Sequence, residues 1–262
     1  MKFCRFQVLA SSAAQPASSL YGLLEGNLIH EISGPPWASW SQTSRAWPVA
    51  EVRLLAPVDP GKIVGVGRNY AAHAAELGNE LPKEPLIFLK PPSSIIGPGD
   101  PIVLTPQSQR VEHEGELALV VGRRCSHLKD SDDALAYLLG YSCLNDVSAR
   151  DLQKSDVQFT RAKGFDTFCP VGPHIETDLD PSDLLVETRV NGVLRQSAST
   201  SLLIYSVAFL VRWISQVMTL NPGDVIATGT PAGVGPLVAG DSVEVSVAGV
   251  GVLRNPVHAP HT

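Results

Sequence analysis

Two glutamates separated by a single residue carry the clearest chemical signal in the sequence. Glu114 and Glu116 lie in the run EHEGE, at the predicted start of a strand. Residues i and i+2 of an extended chain point to the same face, so the two carboxylates would project side by side. A divalent cation would relieve their repulsion, and oxygen ligands favour Mg²⁺, Mn²⁺ or Ca²⁺. The alternative is an acidic strand face exposed to solvent.

A third carboxylate can come from the polar stretch LNDVSARDLQ, which follows an apolar segment. Asp151 stands next to Arg150 and suits a surface ion pair. Asp146 directly follows the apolar residues and is the better candidate for a third ligand, which would leave coordination positions for water and substrate. Both aspartates also suit turns, so the pattern alone leaves that alternative open.

His73 and Glu76 form a second candidate pair, in the run NYAAHAAELG. Its alanines and the terminal Gly78 predict a short helix or lid, on which residues i and i+3 share a face. A carboxylate beside an imidazole orients the ring and raises its basicity, as a general base requires. A helix pair facing solvent is the alternative.

The elements that would position these residues are short. Glycine and proline number 22 and 21 and divide the whole chain, which favours strands and turns over long helices. The pattern predicts strands in KIVGVG, PLIFLK, PIVLT and GELALVVG, a hairpin on Asn191-Gly192, helices over 132–141 and 201–217, and hairpin-like pieces over 224–229 and 241–253. We therefore predict a mostly β, α+β chain, with a small β-rich N-terminal region (1–57) and a catalytic domain (58–262).

Composition excludes several classes of function. A net charge of −6 without any Lys/Arg-rich run argues against binding to nucleic acid or anionic membranes. No apolar stretch suits a secretory signal or approaches the roughly 20 residues of a membrane span, so a cytoplasmic protein is expected. The four cysteines form no CxxC pair. The glycine-containing runs lack the third small residue of a dinucleotide fingerprint and the Gly-Lys-Ser/Thr ending of a P-loop.

Between about residues 60 and 257 the chain resembles the fumarylacetoacetate hydrolase family, in particular its shorter branch of acylpyruvate hydrolases, oxaloacetate decarboxylases and dienedioate isomerases. The resemblance rests on motifs in unbroken order: VGVGRNYAAHAAELG, FLKPPSSIIGPGDPIVL, EHEGELALVVG, GYSCLNDVSARDLQ, RAKGFDTFCPVGPHI, VNGVLRQ, TLNPGDVIATGTPAGVGP and GDSVEVSVAGVGVLRN. It implies a mixed β-roll of packed sheets with a few helices, usually a homodimer. Residues 1–57 match less well.

The resemblance also implies roles for individual residues. Glu114, Glu116 and Asp146 would bind Mg²⁺, with Mn²⁺ as an alternative. Lys163 would be a catalytic, substrate-binding cation near the metal.

Four further motif positions complete the implied site. His73 and Glu76 would be the catalytic dyad, carried on a segment that orders over bound substrate. Arg150 and Gln153 would line the site, and Thr230 would contact the substrate carboxylate.

The implied substrate is a small 2-oxo acid or its enol. A 2-oxo acid can chelate a divalent cation through its carboxylate and oxo group, which fixes the geometry of both. C–C hydrolysis of acylpyruvate- or fumarylpyruvate-type substrates is our first expectation. Oxaloacetate decarboxylation or tautomerisation and 2-hydroxyhepta-2,4-diene-1,7-dioate isomerisation are the alternatives, and a catalytically inactive metal-binding homologue is the non-enzymatic one.

Overall fold

The computed structural model describes residues 1–9 and 18–260. In that part of the chain the strands are, in order, β1 (Lys2–Val8), β2 (Leu20–Glu25), β3 (Leu28–Ile32), β4 (Gln42–Pro48), β5 (Val52–Leu55), β6 (Ile63–Gly67), β7 (Leu86–Lys90), β8 (Ile95–Ile96), β9 (Ile102–Val103), β10 (Val111–His113), β11 (Gly115–Val121), β12 (Leu138–Asn145), β13 (Ser148–Ala149), β14 (Cys169–Glu176), β15 (Leu185–Val190), β16 (Val193–Ser199), β17 (Val225–Ala227), β18 (Gly235–Pro236), β19 (Ser242–Val247) and β20 (Gly251–His258).

The helices are few and short. The α-helices of the described residues are α1 (Ala71–Glu76), α2 (Arg150–Ser155), α3 (Thr160–Gly164) and α4 (Val207–Val217). Single 3₁₀ turns occur at Val49–Glu51, Pro92–Ser94, Ala134–Tyr137, Pro181–Asp183 and Thr200–Leu202. The prediction of a mostly β fold with a few helices is confirmed.

The described strands form three sheets that pack together. The largest follows the order β4-β3-β2-β1-β14-β12-β11-β17-β6-β7, the second is β13-β10-β18, and the third is β16-β15-β19-β20-β9. The main apolar core lies between the largest sheet, the third sheet and one face of α4. Leu117 and Leu119 of β11, Val245 of β19 and Leu210 and Ile214 of α4 meet there.

Strand β11 lies inside the largest sheet, between β12 and β17. Every residue from Gly115 to Val121 is buried, because apolar side chains cover both faces of the strand. Leu117 and Leu119 belong to the main core, whereas Ala118 and Val120 belong to a second apolar cluster on the opposite face. Glu116 is the second residue of this buried strand and Glu114 immediately precedes it, so the packing of the strand positions the backbone of both glutamates.

The N-terminal strands continue the largest sheet. β1 pairs antiparallel with β14, with Lys2 opposite Glu176 and Phe3 opposite Ile175. Phe3 also packs in the same apolar cluster as Leu144 of the central β12. The predicted boundary between residues 1–57 and 58–262 stays a prediction, and the strands on its two sides share one hydrogen-bonded sheet.

Some predicted elements differ from the structure. The hairpin on Asn191-Gly192 is confirmed, with both residues at positive φ, and so is the hairpin of β19 and β20. The helix predicted over 132–141 is wrong beyond one 3₁₀ turn, because the segment from Leu138 onward pairs with β11 as the central strand β12.

Two further elements are corrected. Helix α4 begins at Val207 rather than at residue 201, because Ser206 caps it by accepting a hydrogen bond from Phe209 N at 3.4 Å. The hairpin predicted over 224–229 is wrong. That segment is the single strand β17, antiparallel to β11 and parallel to β6.

Candidate active site

A cavity of about 310 Å³ lies beside the start of β11. Of the residues predicted from the sequence, it is lined by His73, Glu114, Glu116, Asp146, Arg150, Gln153, Lys163 and Thr230. Glu76 is the exception, and it contacts His73 from outside the lining. Five separate stretches of the chain thus meet at one cavity.

The three predicted metal ligands lie together at the base of this cavity. Ligand oxygens of Glu114, Glu116 and Asp146 all lie within 4.8 Å of one another, and all three residues are buried. The pairing of β11 with β12 produces this arrangement, since Gly115 lies opposite Asn145. The backbone N–H of Asp146 also donates to the carbonyl of Glu114 at 2.8 Å.

Buried cations hold two of the three carboxylates. Lys163 Nζ donates to Glu114 Oε2 at 2.7 Å and to Asp146 Oδ2 at 2.6 Å. Lys90 Nζ donates to the other oxygen of Asp146 at 2.6 Å. Arg150 donates from one guanidinium nitrogen to Glu114 and from Nε to Glu112 Oε2 at 2.6 Å.

The pKa values of the two neighbouring glutamates shift in opposite directions. Burial pushes the pKa of Glu114 upward, but the charges of Lys163 and Arg150 outweigh it and hold the pKa well below its usual range. Burial raises the pKa of Glu116 well above its usual value, and the nearby Asp146 and Glu114 carboxylates raise it further. Glu116 is therefore the carboxylate of the triad whose negative charge the surrounding groups compensate least.

This donor set fits a hard divalent cation. Among the described residues Glu116 has no ion-pair partner, and its one hydrogen bond comes from Gly229 N to Oε2 at 2.7 Å. Carboxylate oxygens are the ligands that Mg²⁺, Mn²⁺ and Ca²⁺ prefer, and a cation would neutralise the charge that burial penalises. Glu114, Glu116 and Asp146 could together hold such an ion.

The predicted dyad is present and is anchored to a second segment. His73 Nδ1 lies 3.3 Å from Glu76 Oε2, on one face of α1 as the i, i+3 spacing predicts. The carboxylate of Glu76 also accepts from the backbone N–H of Gly233, with Oε1 at 3.0 Å. His73 is buried and lines the cavity, so its imidazole is oriented from behind by Glu76.

The remaining predicted residues have partners within the protein. The hydroxyl of Thr230 donates to the Gly115 carbonyl at 2.9 Å and accepts from Gln196 Nε2 at 2.7 Å. Gln153 accepts a hydrogen bond from Arg150. Their contacts with substrate stay predictions. Asp151, the less favoured aspartate, instead accepts from Gln109 N at 2.8 Å near the protein surface.

Sequence reasoning did not assign several residues that build the site. Lys90 is buried at the end of β7, and the only signal for it was a lysine closing an apolar strand. Glu112 was visible in the run EHEGE, but its pairing with Arg150 required the fold. Phe88 and Phe159 form an apolar wall, with ring centroids 5.7 Å apart, and Lys163 Nζ lies 5.1 Å from the Phe88 ring centre.

A mostly β fold with a buried acidic triad and an imidazole at one cavity defines a class of protein able to hold a divalent cation beside a small ligand. The chain belongs to the fumarylacetoacetate hydrolase family. Residues 62–258 match the family described as fumarylacetoacetate (FAA) hydrolase C-terminal, and residues 1–57 match the one described as Rv2993c-like, N-terminal.

Named relatives and solved structures are similar over most of the chain. A mitochondrial oxaloacetate tautomerase of Bos taurus is 45% identical over 223 residues, which are 80% of this chain and 71% of the relative. The crystal structure of a 5-carboxymethyl-2-hydroxymuconate delta-isomerase from Mycobacterium smegmatis has a TM-score of 0.90 at 48% identity, covering 99% of this chain and all of that one. A 2-hydroxyhepta-2,4-diene-1,7-dioate isomerase from Mycobacterium marinum gives 0.90 at 46%, covering both chains fully.

The helices of the structure can also be compared with the length that a membrane span requires. Across residues 1–9 and 18–260, no helix combines the length and the apolar character that crossing a membrane requires.

Proposed function

We propose that this protein is a magnesium-dependent enzyme that moves a proton on small 2-oxo acids and their enols, with an oxaloacetate-type diacid as its first candidate substrate. The observation that carries the proposal is the acidic triad within 4.8 Å at a cavity that also contains His73. The named activities of the three similar proteins described above, a tautomerase and two isomerases, support proton transfer over the C–C hydrolysis that we expected from the sequence.

The charges around the cavity suit an acidic substrate. Lys163 is buried there and carries a positive charge between two carboxylates. Arg68 also lines the cavity, and no described residue forms a hydrogen bond or an ion pair with it. Arg68 is therefore available to a carboxylate of the substrate, and a guanidinium can bind a carboxylate through two parallel hydrogen bonds.

Proton transfer falls to His73. Glu76 engages Nδ1, so Nε2 is the nitrogen left to exchange a proton with carbon 3 of the substrate. Removing that proton leaves an electron pair that forms the C2–C3 double bond, while the π electrons of the C2–O bond move to the oxygen and give the enolate. A proton taken up by that oxygen from water gives the enol, and a proton returned to carbon 3 by His73 restores the keto acid. A bound Mg²⁺ would supply Lewis-acid stabilisation of the negative charge that develops on the 2-oxo oxygen. Phe88 and Phe159 place apolar ring surface along one side of the cavity.

C–C hydrolysis of an acylpyruvate is the second candidate, because one observation favours it. The contact between His73 and Glu76 is the arrangement that a general base for water requires. In that reaction His73 would deprotonate a water that attacks the distal carbonyl, and the C–C bond would break to release pyruvate and the acid.

The expected homodimer also stays a prediction.

The test uses purified, metal-depleted protein with oxaloacetate and, separately, acetylpyruvate. We expect enol–keto conversion of oxaloacetate to depend on added Mg²⁺ and to stop in EDTA. His73→Asn should lower kcat by at least about 100-fold, since general acid–base catalysis contributes 10²–10⁴-fold, and should leave Mg²⁺ affinity nearly unchanged.

Two outcomes would contradict the proposal. Full activity in chelator would show that the reaction does not need a metal. Full activity of His73→Asn would show that His73 is not the base. Acetylpyruvate cleavage much faster than oxaloacetate conversion would select the second candidate instead. His258→Asn, at an exposed histidine outside the cavity, is the matched control and should behave as wild type.

A further inference from the structure

One buried amide outside the predicted site has all of its hydrogen-bonding capacity in use. Gln196, on β16, is 1% exposed. Its Oε1 lies 3.1 Å from His113 Nδ1 and accepts from Gly115 N at 3.0 Å. Its Nε2 donates to Thr230 Oγ1 and to the Pro231 carbonyl, both at 2.7 Å. Two lone pairs and two N–H groups are all that an amide side chain offers.

The partners of Gln196 fix its orientation without ambiguity. A backbone N–H can only donate and a backbone carbonyl can only accept, so Gly115 determines the position of Oε1 and Pro231 that of Nε2. His113 must then carry its hydrogen on Nδ1. Thr230 accepts from Gln196, which agrees with the donation of its own hydroxyl to the Gly115 carbonyl.

The four contacts join the two halves of the active site. His113 and Gly115 are the chain neighbours of Glu114, so Oε1 holds the imidazole of the residue before this glutamate and the backbone N–H of the residue after it. The backbone N–H of Glu114 is itself held by Asn145 Oδ1 at 2.9 Å. On the opposite side, Nε2 holds Thr230, which lines the cavity. The amide thus spans from the acidic triad to the segment at the cavity wall.

We propose that Gln196 is a positioning residue that sets Glu114 for the divalent cation through its oxygen and sets the Thr230 segment for the substrate through its nitrogen. This role rests on the proposed metal at Glu114. If Gln196 has this role, metal affinity and substrate binding can be changed separately, because the amide oxygen acts on the first and the amide nitrogen on the second.

The separation is tested with two variants. Gln196→Met keeps the length of the side chain and loses all four hydrogen bonds, so the affinity for Mn²⁺ should fall about 10–100-fold and KM for oxaloacetate should rise. Gln196→Glu keeps the two acceptor contacts and loses the two donations, so Mn²⁺ affinity should stay near that of wild type while KM rises. Mn²⁺ affinity is measured by calorimetry on metal-depleted protein.

Gln216→Met is the matched control. Its amide donates to the Leu128 carbonyl at 2.7 Å, away from the cavity. The Mn²⁺ affinity and the KM for oxaloacetate should therefore stay as in wild type. If Gln196→Met does not fold, Gln196→Glu alone carries the test, with retained Mn²⁺ affinity and a raised KM as the expected result.

Three results would overturn the inference. They are wild-type Mn²⁺ affinity in Gln196→Met, an equal loss of affinity in Gln196→Glu, and an unchanged KM in Gln196→Glu. Failure of the wild-type protein to bind Mn²⁺ is a different result, which contradicts the proposed metal rather than the role of the amide.

Discussion

At the residue scale, the described part of the chain forms an arrangement of buried charges at the site, in which most carboxylates pair with a cation and one does not. Lys163, Lys90 and Arg150 neutralise Glu114, Asp146 and Glu112 through direct hydrogen bonds. Over residues 1–9 and 18–260, Glu116 receives only a backbone N–H, from Gly229. A buried charge without a partner destabilises a fold, so the unpaired carboxylate is where function most plainly opposes stability.

Replacing Glu116 with Gln tests this opposition. The amide keeps the shape of the side chain and removes the charge, so Mg²⁺ affinity and turnover should fall at least about 100-fold. The free energy of unfolding of the metal-free protein should stay the same or rise, because the uncompensated charge is gone. Calorimetric titration with Mg²⁺ and urea unfolding measure the two effects.

The control for this variant is Glu51→Gln, at an exposed glutamate far from the triad in sequence. It should change neither the free energy of Mg²⁺ binding nor the free energy of unfolding by more than about 0.5 kcal/mol, as is usual for surface substitutions. Wild-type Mg²⁺ affinity in Glu116→Gln would refute the metal assignment.

Which site residues the sequence could reveal depended on how local their signals were. Glu114 and Glu116 could be recognised by their i, i+2 spacing, and His73 and Glu76 by their i, i+3 spacing. Lys90 acts on Asp146 across 56 residues, and Gln196 contacts His113 across 83. Residues so far apart in the sequence form no recognisable spacing pattern, so these contacts can be identified only from the folded structure.

At the scale of elements, the start of β11 depends on close packing against the third sheet. A Cβ added at Gly115 would lie 2.0 Å from Thr188 Oγ1 on β15 and 3.2 Å from a methyl of Val245 on β19. Both neighbours are buried strand residues. Glycine between the two glutamates therefore lets the sheets approach closely enough to bury the carboxylates.

Gly115→Ala should push β11 away from β15. We expect a loss of about 1–3 kcal/mol in the free energy of unfolding, as is usual for overpacking, together with weaker Mg²⁺ binding. Thr188→Ala removes the nearest atom and should recover part of both losses in the double variant. Denaturant unfolding and metal titration of the single and double variants measure the coupling.

Gly34→Ala is the control, since no atom lies within 4 Å of the added Cβ there. An unchanged stability of Gly115→Ala, or no recovery in the double variant, would show that the contact with Thr188 does not limit the packing.

The elements that the sequence misassigned had ambiguous periodicity. Leucine, alanine and tyrosine over 132–141 have helical spacing, yet Leu138 to Tyr141 pair with β11 in the middle of the largest sheet. A strand that is buried on both faces shows no alternation, so its pattern cannot be told from that of a buried helix. The Asn191-Gly192 hairpin was recognisable because its turn needs two residues at positive φ.

At the scale of the whole molecule, one buried histidine connects stability to pH. His174, on β14, is 5% exposed, and neither ring nitrogen has a hydrogen-bond partner among the described residues. Burial lowers its pKa to about 4, and the charge of Lys2 adds to this effect. The folded protein therefore holds the neutral imidazole at pH values where the unfolded chain is already protonated.

The sign of the effect follows from proton binding. Between pH 6.5 and 4 the unfolded state binds a proton that the folded state does not, so acidification in this range favours unfolding, by up to about 1.4 kcal/mol per pH unit. The loss is complete below pH 4. His174→Leu removes the ionisable ring and its unpaired nitrogens, and it should flatten this part of the profile.

Urea unfolding at several pH values between 4 and 7 measures this difference between wild type and His174→Leu. His258→Leu, at an exposed position, should keep the wild-type slope. Equal slopes for wild type and His174→Leu would show that other groups account for the acid sensitivity.

The pairing of β1 with β14 also limits how this chain can be shortened. Removing residues 1–57 would remove β1, Phe3 included, from beside β14 and expose the backbone hydrogen-bonding groups of β14. An open strand edge of this kind recruits any other extended segment, including the same edge of another molecule. A relative without this N-terminal region would have to supply a substitute strand or cover that edge by other means.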